Sequence, residues 1–265
     1  MDPSRVKADL ELALAMADLV DEVTMARFRA SDLKIDTKPD DTPVTEADRA
    51  AEQVLRQQLA SHRPDDAIIG EEFGFQGGGD RCWILDPIDG TKNYMRAVPV
   101  WCTLIGLTAG SDLASAEPVV GVVSAPALGR RWWAGKGHGA FTRDVDGTTR
   151  PISVSGVRDL ANASFSYSDR EGWAERDAVG MLDGLEDTCW RTRAYGDFLS
   201  HVLVAEGCVD VAAEPLLAPW DMAALIPVVE EAGGRVTGLD GSRPLTHLSA
   251  VTTNSRLHDA VLGLI

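Results

Sequence analysis

Positive charge is scarce in this sequence: 25 lysines and arginines stand against 41 aspartates and glutamates, for a formal net charge of −16. A field of that sign repels phosphate backbones, so we expect no nucleic-acid partner and no binding to an anionic membrane. Long apolar runs are also missing: none reaches the ~18 residues of a membrane span, and the N-terminus has no cleavable signal pattern. These absences predict a cytoplasmic protein. An anionic substrate would need local positive charge, which bound metal ions can supply.

Cysteine and histidine are few and show no ligand spacing. The four cysteines, Cys82, Cys102, Cys189 and Cys208, form no CxxC pair, and three of them lie in apolar segments. Reduced, buried thiols are therefore expected rather than a disulfide framework. The five histidines are scattered without an HxxxH pair, and no activated serine, histidine or cysteine motif is present.

Apolar material is plentiful, since 45% of the 265 residues are hydrophobic, which allows one large domain or two small ones. Apolar residues at helical spacing predict an amphipathic helix over the first ~25 residues. Thr45, with Asp48 three residues later, predicts a capping box that opens a second helix. Strands are predicted for AIIGEEF, CWILD, VWCTLIGLTA, PVVGVVSAPAL, RRWWAG and PISVS, and flexible loops for SDLKIDTKPDDTP and GFQGGGDR.

Beyond Ser155 the predicted helices and strands alternate. The strands are DTCWRTRA, VDVAAE and RVTGLDG; the helices are GDFLSHVLVAEG, WDMAALIPVVEEAGG and a short one from Ser255. Pro227 either kinks the second of these helices or marks its first turn. Antiparallel strands followed by alternating elements predict a layered α/β fold with two halves, 1–150 and 151–265.

The segment CWILDPIDGTKNY, from Cys82 to Tyr94, places two acids at the end of a buried strand. Pro87 keeps Asp86 out of the helical region, so Asp86 and Asp89 can point into one cavity. Two confined carboxylates repel, and hard oxygen ligands favour Mg²⁺, Mn²⁺ or Ca²⁺ between them. The alternative is that both acids only cap a turn.

Further residues could complete such a site. Gly90 and Thr91 suit a helix start that cradles phosphate, and Thr91 adds a hydroxyl that can hold water. Other acids end apolar segments or open helices: Glu71, Glu72 and Glu214, together with Asp48 and Asp221, for which helix capping is the alternative.

The sequence resembles the inositol monophosphatase family in GEE (70–72), WILDPIDGTKNY (83–94), WDMAALIPVVEEAGG (220–234) and DTPVTEAD (41–48). These matches fall in order across nearly the whole chain. The resemblance implies one domain over residues 1–265, a five-layer αβαβα sandwich, with most metal ligands in 1–150 and Asp221 and the substrate-side residues in 151–265. It also implies Mg²⁺-dependent hydrolysis of a phosphate monoester with two or three ions, for which Mn²⁺ can substitute, and a homodimer.

The same resemblance implies roles for individual residues. The first ion would be held by Glu71, Asp86 and the Ile88 carbonyl, and the second by Asp86, Asp89 and Asp221. Glu71 and Thr91 would orient water, with Asp48 close to Thr91 and to a third ion. On the substrate side stand Asp89, Gly90, Thr91, Arg193, Asp197 and Glu214.

Three segments resemble actinobacterial-type histidinol-phosphate phosphatases: SAPALGRRWWA (124–134), WRTRAYGDFLS (190–200) and AAEPLLAPWDMAAL (212–225). The cationic amine of that substrate would suit Asp197 and Glu214, and Arg193, or else Arg191, could meet the phosphate. The alternatives are that the arginines pair with neighbouring acids and that Asp197 caps a helix. Trp132 and Trp133 could face a partner subunit or the core.

Other functions compete with this interpretation. DVDGTT, from Asp144, imitates the haloacid-dehalogenase motif, but no long buried strand precedes it, so we predict a hairpin turn. GKGHGAF is likewise predicted to be a turn rather than a nucleotide loop. An inositol-1-phosphate or broad sugar-phosphate phosphatase with the same metals is the main alternative. A catalytically idle binding or regulatory member of the family is the third.

Overall fold

The computed structural model describes residues 2–39 and 41–264; Asp40, in the predicted polar connection after the first helix, lies outside the described residues. The helices are α1 (Pro3–Arg27), α2 (Glu46–His62), α3 (Thr91–Met95), α4 (Glu171–Glu175), α5 (Val179–Thr188), α6 (Asp197–Ala205), α7 (Pro219–Met222), α8 (Leu225–Glu231), α9 (Pro244–His247) and α10 (His258–Leu262). None of them, over the part of the chain that is described, is long and apolar enough to cross a membrane.

The strands form three sheets. A hairpin pairs β1 (Ile35–Thr37) with β2 (Pro43–Thr45). The large sheet, in the order β10-β9-β8-β7-β6-β5-β3-β4, contains β3 (Ala67–Gly70), β4 (Gly74–Gln76), β5 (Arg81–Asp89), β6 (Cys102–Ala109), β7 (Glu117–Ala125), β8 (Arg130–Gly135), β9 (Gly139–Arg143) and β10 (Thr149–Pro151). The small sheet, in the order β12-β11-β13-β15-β14, contains β11 (Ser164–Ser166), β12 (Arg191–Arg193), β13 (Val211–Glu214), β14 (Arg235–Thr237) and β15 (Ala250–Thr253).

The first layer is the pair α1 and α2, whose apolar faces cover one side of the large sheet. The first helix was predicted from apolar spacing and the second from a capping box, and the structure confirms both. Val20 and Leu55 are fully buried against Trp83 of β5 and Val120 of β7. The capping box of α2 is also confirmed: the Asp48 carboxylate accepts the Thr45 amide, and the Thr45 hydroxyl accepts the Asp48 amide.

A middle helical layer, made of α6, α7 and α8, lies between the two sheets. Phe198 of α6 and Met222 of α7 share an apolar cluster with Leu104 of β6. The approach is close because glycine leaves room for it: a Cβ on Gly121 of β7 would stand 2.0 Å from the Ala224 carbonyl oxygen. The sheet therefore sets the position of the helical backbone at the end of α7.

The outer face of the small sheet is covered by α4, α5 and α10. Trp173, Leu182 and Val261 from these helices pack against Val211 of β13 and Val251 of β15. Helices, large sheet, helices, small sheet and helices follow one another, so the predicted αβαβα sandwich is confirmed.

Some element predictions were wrong. Gly74–Gln76, predicted to be a loop, pairs as an edge strand with β3. Most of PISVS is not a strand, because the Val154 amide donates to the Ala232 carbonyl after α8. WDMAALIPVVEEAGG forms two helices, and Pro227 lies in the first turn of the second. The start of DTCWRTRA belongs to α5, and its strand covers only Arg191–Arg193.

The two turn predictions are confirmed. DVDGTT connects β9 to β10, which pair antiparallel, so it is a hairpin turn rather than a phosphatase motif. GKGHG makes the tight connection between β8 and β9. Trp132 is fully buried and its indole donates to Glu206, which confirms the core alternative for that residue, while Trp133 is half-buried and stacks on Phe141.

Candidate metal and phosphate site

The carboxylates of Asp86 and Asp89 stand at the end of β5, in the interior of the large sheet. The pairing of β5 with β6 shifts register between Asp86 and Asp89, a bulge that changes the direction of the side chains. Asp86 is buried, and its carboxylate accepts the Ile88 amide at 3.0 Å. A strand held on both sides gives these acids little freedom to move.

A third acid joins them from the middle layer. One carboxylate oxygen from each of Asp86, Asp89 and Asp221 lies within 4.8 Å of the others. Asp221, in α7, also accepts the Ala218 amide at 2.7 Å, so it caps its own helix turn while it faces the other two acids. Turn capping alone therefore does not account for the cluster.

Electrostatic repulsion is the cost of this arrangement. Burial raises the pKa of Asp86 well above its ordinary value, and the charges of Glu71, Asp89 and Asp221 raise it further. The pKa of Asp89 is raised in the same way, by burial and then by Asp197 and Asp221. Burial raises the pKa of Asp221 to about 7, against the opposing hydrogen bond from Ala218. Close, hard oxygen donors that repel one another are what a divalent cation such as Mg²⁺ binds best, so the residues present fit the ions that the resemblance implies.

Glu71 stands beside this cluster at the end of β3. Its amide donates to the Leu85 carbonyl at 3.1 Å, and its carboxylate accepts Lys38 Nζ at 2.7 Å. Lys38 Nζ lies equally close, at 2.7 Å, to Glu72 Oε1, although burial still raises the pKa of Glu72 to about 7. Lys38 was missed from the sequence, because nothing in the hairpin of β1 and β2 indicates that its ammonium reaches across to β3.

Thr91 and Asp48 meet on the other side of the cluster. The Thr91 hydroxyl lies 3.2 Å from Asp48 Oδ1 and 3.0 Å from the Ile88 carbonyl oxygen. Burial raises the pKa of Asp48, which is fully enclosed. Gly90, which precedes Thr91, has φ 83°, a left-handed conformation that favours glycine. The structure therefore brings together Glu71, Asp86, Ile88, Asp89, Gly90, Thr91, Asp48 and Asp221.

The cluster opens into a cavity of about 430 Å³ whose walls come from both halves of the chain. Its carboxylates are Asp89, Asp169, Glu171, Glu175, Asp197, Glu214 and Asp221, against one lysine, Lys92. Apolar and neutral lining comes from Phe198, His201, Pro215, Leu216, Leu217, Met222 and Leu225, among others. Lys92, Ser168 and the acids of 169–175 were missed from the sequence, because they form no motif and only the fold brings them together.

Asp197 and Glu214 both line this cavity, as predicted. Asp197 Oδ2 accepts the Asn93 side-chain amide at 3.1 Å, and Glu214 Oε1 accepts the Ser168 hydroxyl at 2.8 Å. Asp197 makes no side-chain capping bond in the described helix α6; its own amide donates to the Ser168 hydroxyl at 2.9 Å, and the next amide, that of Phe198, donates to Asp89 Oδ2 at 3.0 Å. The capping alternative for Asp197 is therefore wrong.

Burial also changes the protonation of the cavity wall. It raises the pKa of Glu214 to about 8, and the neighbouring charges of Asp197 and Asp169 add to the effect. The pKa of Asp197 is raised by burial and lowered in part by Lys92. Excess negative charge at this end of the cavity would be relieved by a cationic group on a ligand.

Within the described residues, Arg193 does not line the cavity. Its side chain is exposed, and Nη1 donates to the Thr192 carbonyl at 2.6 Å. Arg191 is exposed as well, with Nη2 3.5 Å from the Tyr195 hydroxyl. Both belong to β12, the edge strand of the small sheet, where alternate residues share one face. The sequence could not show on which side of this edge they would lie.

Comparisons with known proteins identify the family of this chain. The family model described as the inositol monophosphatase family matches residues 3–265. A Streptomyces coelicolor protein named histidinol-phosphatase is 55% identical over 261 residues, which cover 97% of this chain and 96% of that protein. A Mycobacterium tuberculosis protein, also named histidinol-phosphatase, is 58% identical over 260 residues, which cover 96% of this chain and 96% of that protein. The solved structure of extragenic suppressor protein suhB from Bartonella henselae matches with a TM-score of 0.86 at 26% identity, over 97% of this chain and 98% of that one. The expected resemblance is confirmed, and the chain belongs to the inositol monophosphatase family.

Proposed function

We propose that this protein is a Mg²⁺-dependent phosphatase that converts L-histidinol phosphate and water to L-histidinol and phosphate, in the cytoplasm, as a step of histidine biosynthesis. The observation that carries the proposal is one cavity whose two ends suit different parts of a substrate. At one end three carboxylates converge within 4.8 Å and could share cations, and at the other end the wall carries further acidic side chains. The relatives named histidinol-phosphatase, 55% and 58% identical, support the choice of substrate.

The metal end would hold two or three Mg²⁺ ions, which Mn²⁺ could replace. Glu71, Asp86, Asp89, Asp221 and the Ile88 carbonyl would be their ligands. The bound cations would supply water activation near neutral pH and neutralise charge on the phosphoryl group. Their positive charge would also admit a phosphate to a cavity that otherwise repels it.

Thr91, Asp48 and Glu71 would position the attacking water. The Asp48 carboxylate lies 3.2 Å from the Thr91 hydroxyl and can accept its proton in a hydrogen bond. The oxygen of Thr91 is then free to accept a hydrogen bond from water, which turns one lone pair of the water toward phosphorus. Asp89, Gly90 and Thr91 would contact the phosphate from the start of α3.

The acidic wall would favour an amino alcohol phosphate over inositol 1-phosphate. Histidinol carries an ammonium group, which Asp197 and Glu214 would attract; the ammonium charge would also lower the raised pKa of Glu214, which is 4% exposed, and so favour its ionised form. Inositol is an uncharged polyol and would leave those carboxylates without a counter-charge. Glu214→Gln should therefore weaken hydrolysis of the amine-bearing substrate by ~10-fold and change inositol 1-phosphate hydrolysis little.

Purified protein with Mg²⁺ would be given histidinol phosphate and inositol 1-phosphate, and kcat/KM compared. We expect the higher value for histidinol phosphate and no turnover by Asp89→Asn. Asp259→Asn, at a side chain 90% exposed, is the matched control and should keep full activity. A higher kcat/KM for inositol 1-phosphate would reject the substrate assignment, while absence of phosphate release would favour an idle binding protein.

We also propose that the protein is a homodimer. Trp190 is 68% exposed and Tyr195 is 38% exposed, and both flank the edge strand β12. Aromatic side chains left open beside an unpaired strand edge are typical of a subunit contact. Light scattering after size-exclusion chromatography should give twice the mass of 28.4 kDa, and Trp190→Ser should reduce it. A monomeric mass for the native protein at micromolar concentration would refute the dimer.

A further inference from the structure

The inner end of the cavity contains a titratable side chain to which neither the metal site nor the acidic wall assigns a role. His201, in α6, lines the cavity and is only 1% exposed. Its Nδ1 lies 2.8 Å from the Thr252 hydroxyl. This is the only hydrogen bond of the His201 ring among the described residues, so Nε2 is the nitrogen left to bind a ligand.

The imidazole of His201 lies deeper in the cavity than the carboxylates of Asp197 and Glu214. Asp197 and His201 are four residues apart on one face of α6, a rise of about 6 Å. Thr252, the partner of His201, pairs with Ala212, two residues before Glu214 on β13. The spacing along α6 and the spacing along β13 therefore both place His201 about one helical turn inward from Asp197 and Glu214.

The surroundings of His201 on this side are apolar. Phe198, Met222 and Leu225, each 1% exposed, line the same inner end. Burial lowers the pKa of His201 to about 4, so its ring is neutral at physiological pH. A neutral imidazole in an apolar recess offers one directed hydrogen bond and a flat contact surface, and it provides no charge for a phosphate.

We propose that His201 recognises the heteroaromatic ring of the substrate, through Nε2, while the metal end holds its phosphate and the acidic wall its amine. The inference rests on the proposed function and adds a specificity residue to it. In histidinol phosphate the ring is one methylene away from the carbon that bears the amine, so a ring directed inward follows naturally from an amine held at Asp197 and Glu214. An imidazole ligand also complements either tautomer of His201, because it can present a donor or an acceptor.

Two substitutions separate the nitrogens of His201. Asparagine places an amide near the position of Nδ1 and can keep the contact with Thr252, but it leaves nothing at Nε2. Glutamine reaches the position of Nε2. We expect His201→Asn to lower kcat/KM for histidinol phosphate at least ~10-fold, mainly through KM, and His201→Gln to recover part of the loss.

The control substrate is 2-aminoethyl phosphate, which has the phosphate and the amine but no ring. His201→Asn should hydrolyse it within ~2-fold of the native rate, because the lost contact is absent there. Calorimetric binding of histidinol to the Mg²⁺-loaded protein gives a second readout that does not depend on turnover, and its Kd should rise in the same ~10-fold proportion. Melting temperatures of both variants report whether the fold is kept.

A loss confined to the ring-bearing ligand supports the assignment. Equal losses on both substrates, or unchanged histidinol binding by His201→Asn, would overturn it and leave the substrate proposal intact. If His201→Asn does not fold, a partial loss of ring selectivity in a folded His201→Gln still counts for the proposal, and unchanged selectivity in that variant counts against it. Failure of the proposed function appears elsewhere, in the native protein, as a preference for inositol 1-phosphate.

Discussion

Replacing Asp221 with asparagine should stabilise the metal-free protein while it removes catalysis. The Asp221 carboxylate lies within 4.8 Å of those of Asp86 and Asp89, where burial raises all three pKa values. Without divalent cations, the ionised Asp221 carboxylate destabilises the folded state, whereas the same charge carries no such penalty in the unfolded chain. Asparagine keeps an oxygen for the Ala218 amide, which now donates to Asp221 at 2.7 Å, and carries no charge.

The size of the effect follows from the pKa of Asp221, which is about 7 in the fold, against about 3.9 in an unfolded chain. At pH 7.5 that difference corresponds to roughly 4 kcal/mol of lost stability. Neighbouring acids share protons with Asp221, so we expect substitution to recover about 1–3 kcal/mol. For a chain of this size that raises Tm by roughly 3–10 °C.

The sign of the pH dependence is fixed as well. A carboxyl whose pKa is raised in the fold costs nothing below its unfolded pKa, and the cost grows as pH rises toward 7. The gain from Asp221→Asn should therefore be largest at pH 7.5 and small near pH 4.

Thermal unfolding followed by circular dichroism, in EDTA and then in Mg²⁺, measures this directly. Native protein and Asp221→Asn would be compared at pH 7.5 and pH 5, with exposed Asp259→Asn as the control for a carboxylate-to-amide change. We expect Mg²⁺ to raise the Tm of the native protein and to raise that of the variant less, because the variant keeps the proposed ligands of the first ion but loses one ligand of the second. A metal-free variant that melts at or below the native temperature would refute the account of repulsion at this site.

Three further outcomes are expected. Thr91→Ala should lower kcat by ~100-fold with little change in KM, and Thr91→Ser should restore most of it; a loss in KM alone would contradict a role in orienting water. Gly121→Ala should lower the free energy of unfolding in urea by about 2 kcal/mol or more, because its Cβ would meet the Ala224 oxygen at 2.0 Å, whereas Gly180→Ala, which has open space, should not. Burial lowers the pKa of His258 to about 4, so the folded state is disfavoured as pH falls below 6.5. Between pH 7 and pH 5 the free energy of unfolding of His258→Gln should therefore fall by about 2 kcal/mol less than that of the native protein. An equal pH dependence of the two proteins in urea unfolding would count against this.

The metal end of the site could be predicted because its information is local. Asp86, Pro87 and Asp89 follow one buried strand, and the restrictions that proline places on the chain act over two or three residues. Thr45 and Asp48 likewise show a capping box at fixed spacing. Asp221 required the resemblance, because its apposition to β5 depends on the packing of α7 against the large sheet.

The organic end could not be predicted in the same way. Asp169, Glu171 and Glu175 are ordinary surface acids in sequence, and only the placement of α4 beside β13 turns them into a cavity wall. For Arg193, a suitable charge close to a substrate segment gave no information on which side of an edge strand its side chain would lie. Edge strand β4 was missed because Gly74 and the three glycines that follow the strand favour a loop until β3 offers hydrogen bonds. The division of the chain at residue 150 stays a prediction.

Asp89 belongs to the carboxylate cluster and also anchors a helix. Its Oδ2 accepts the Phe198 amide and so holds the first turn of α6, the helix that carries Asp197 and His201. A displacement of this acid when cations load would be passed mechanically to the helix that frames the organic part of the ligand. Metal binding and recognition of the organic part of the ligand would then be linked through one shared side chain.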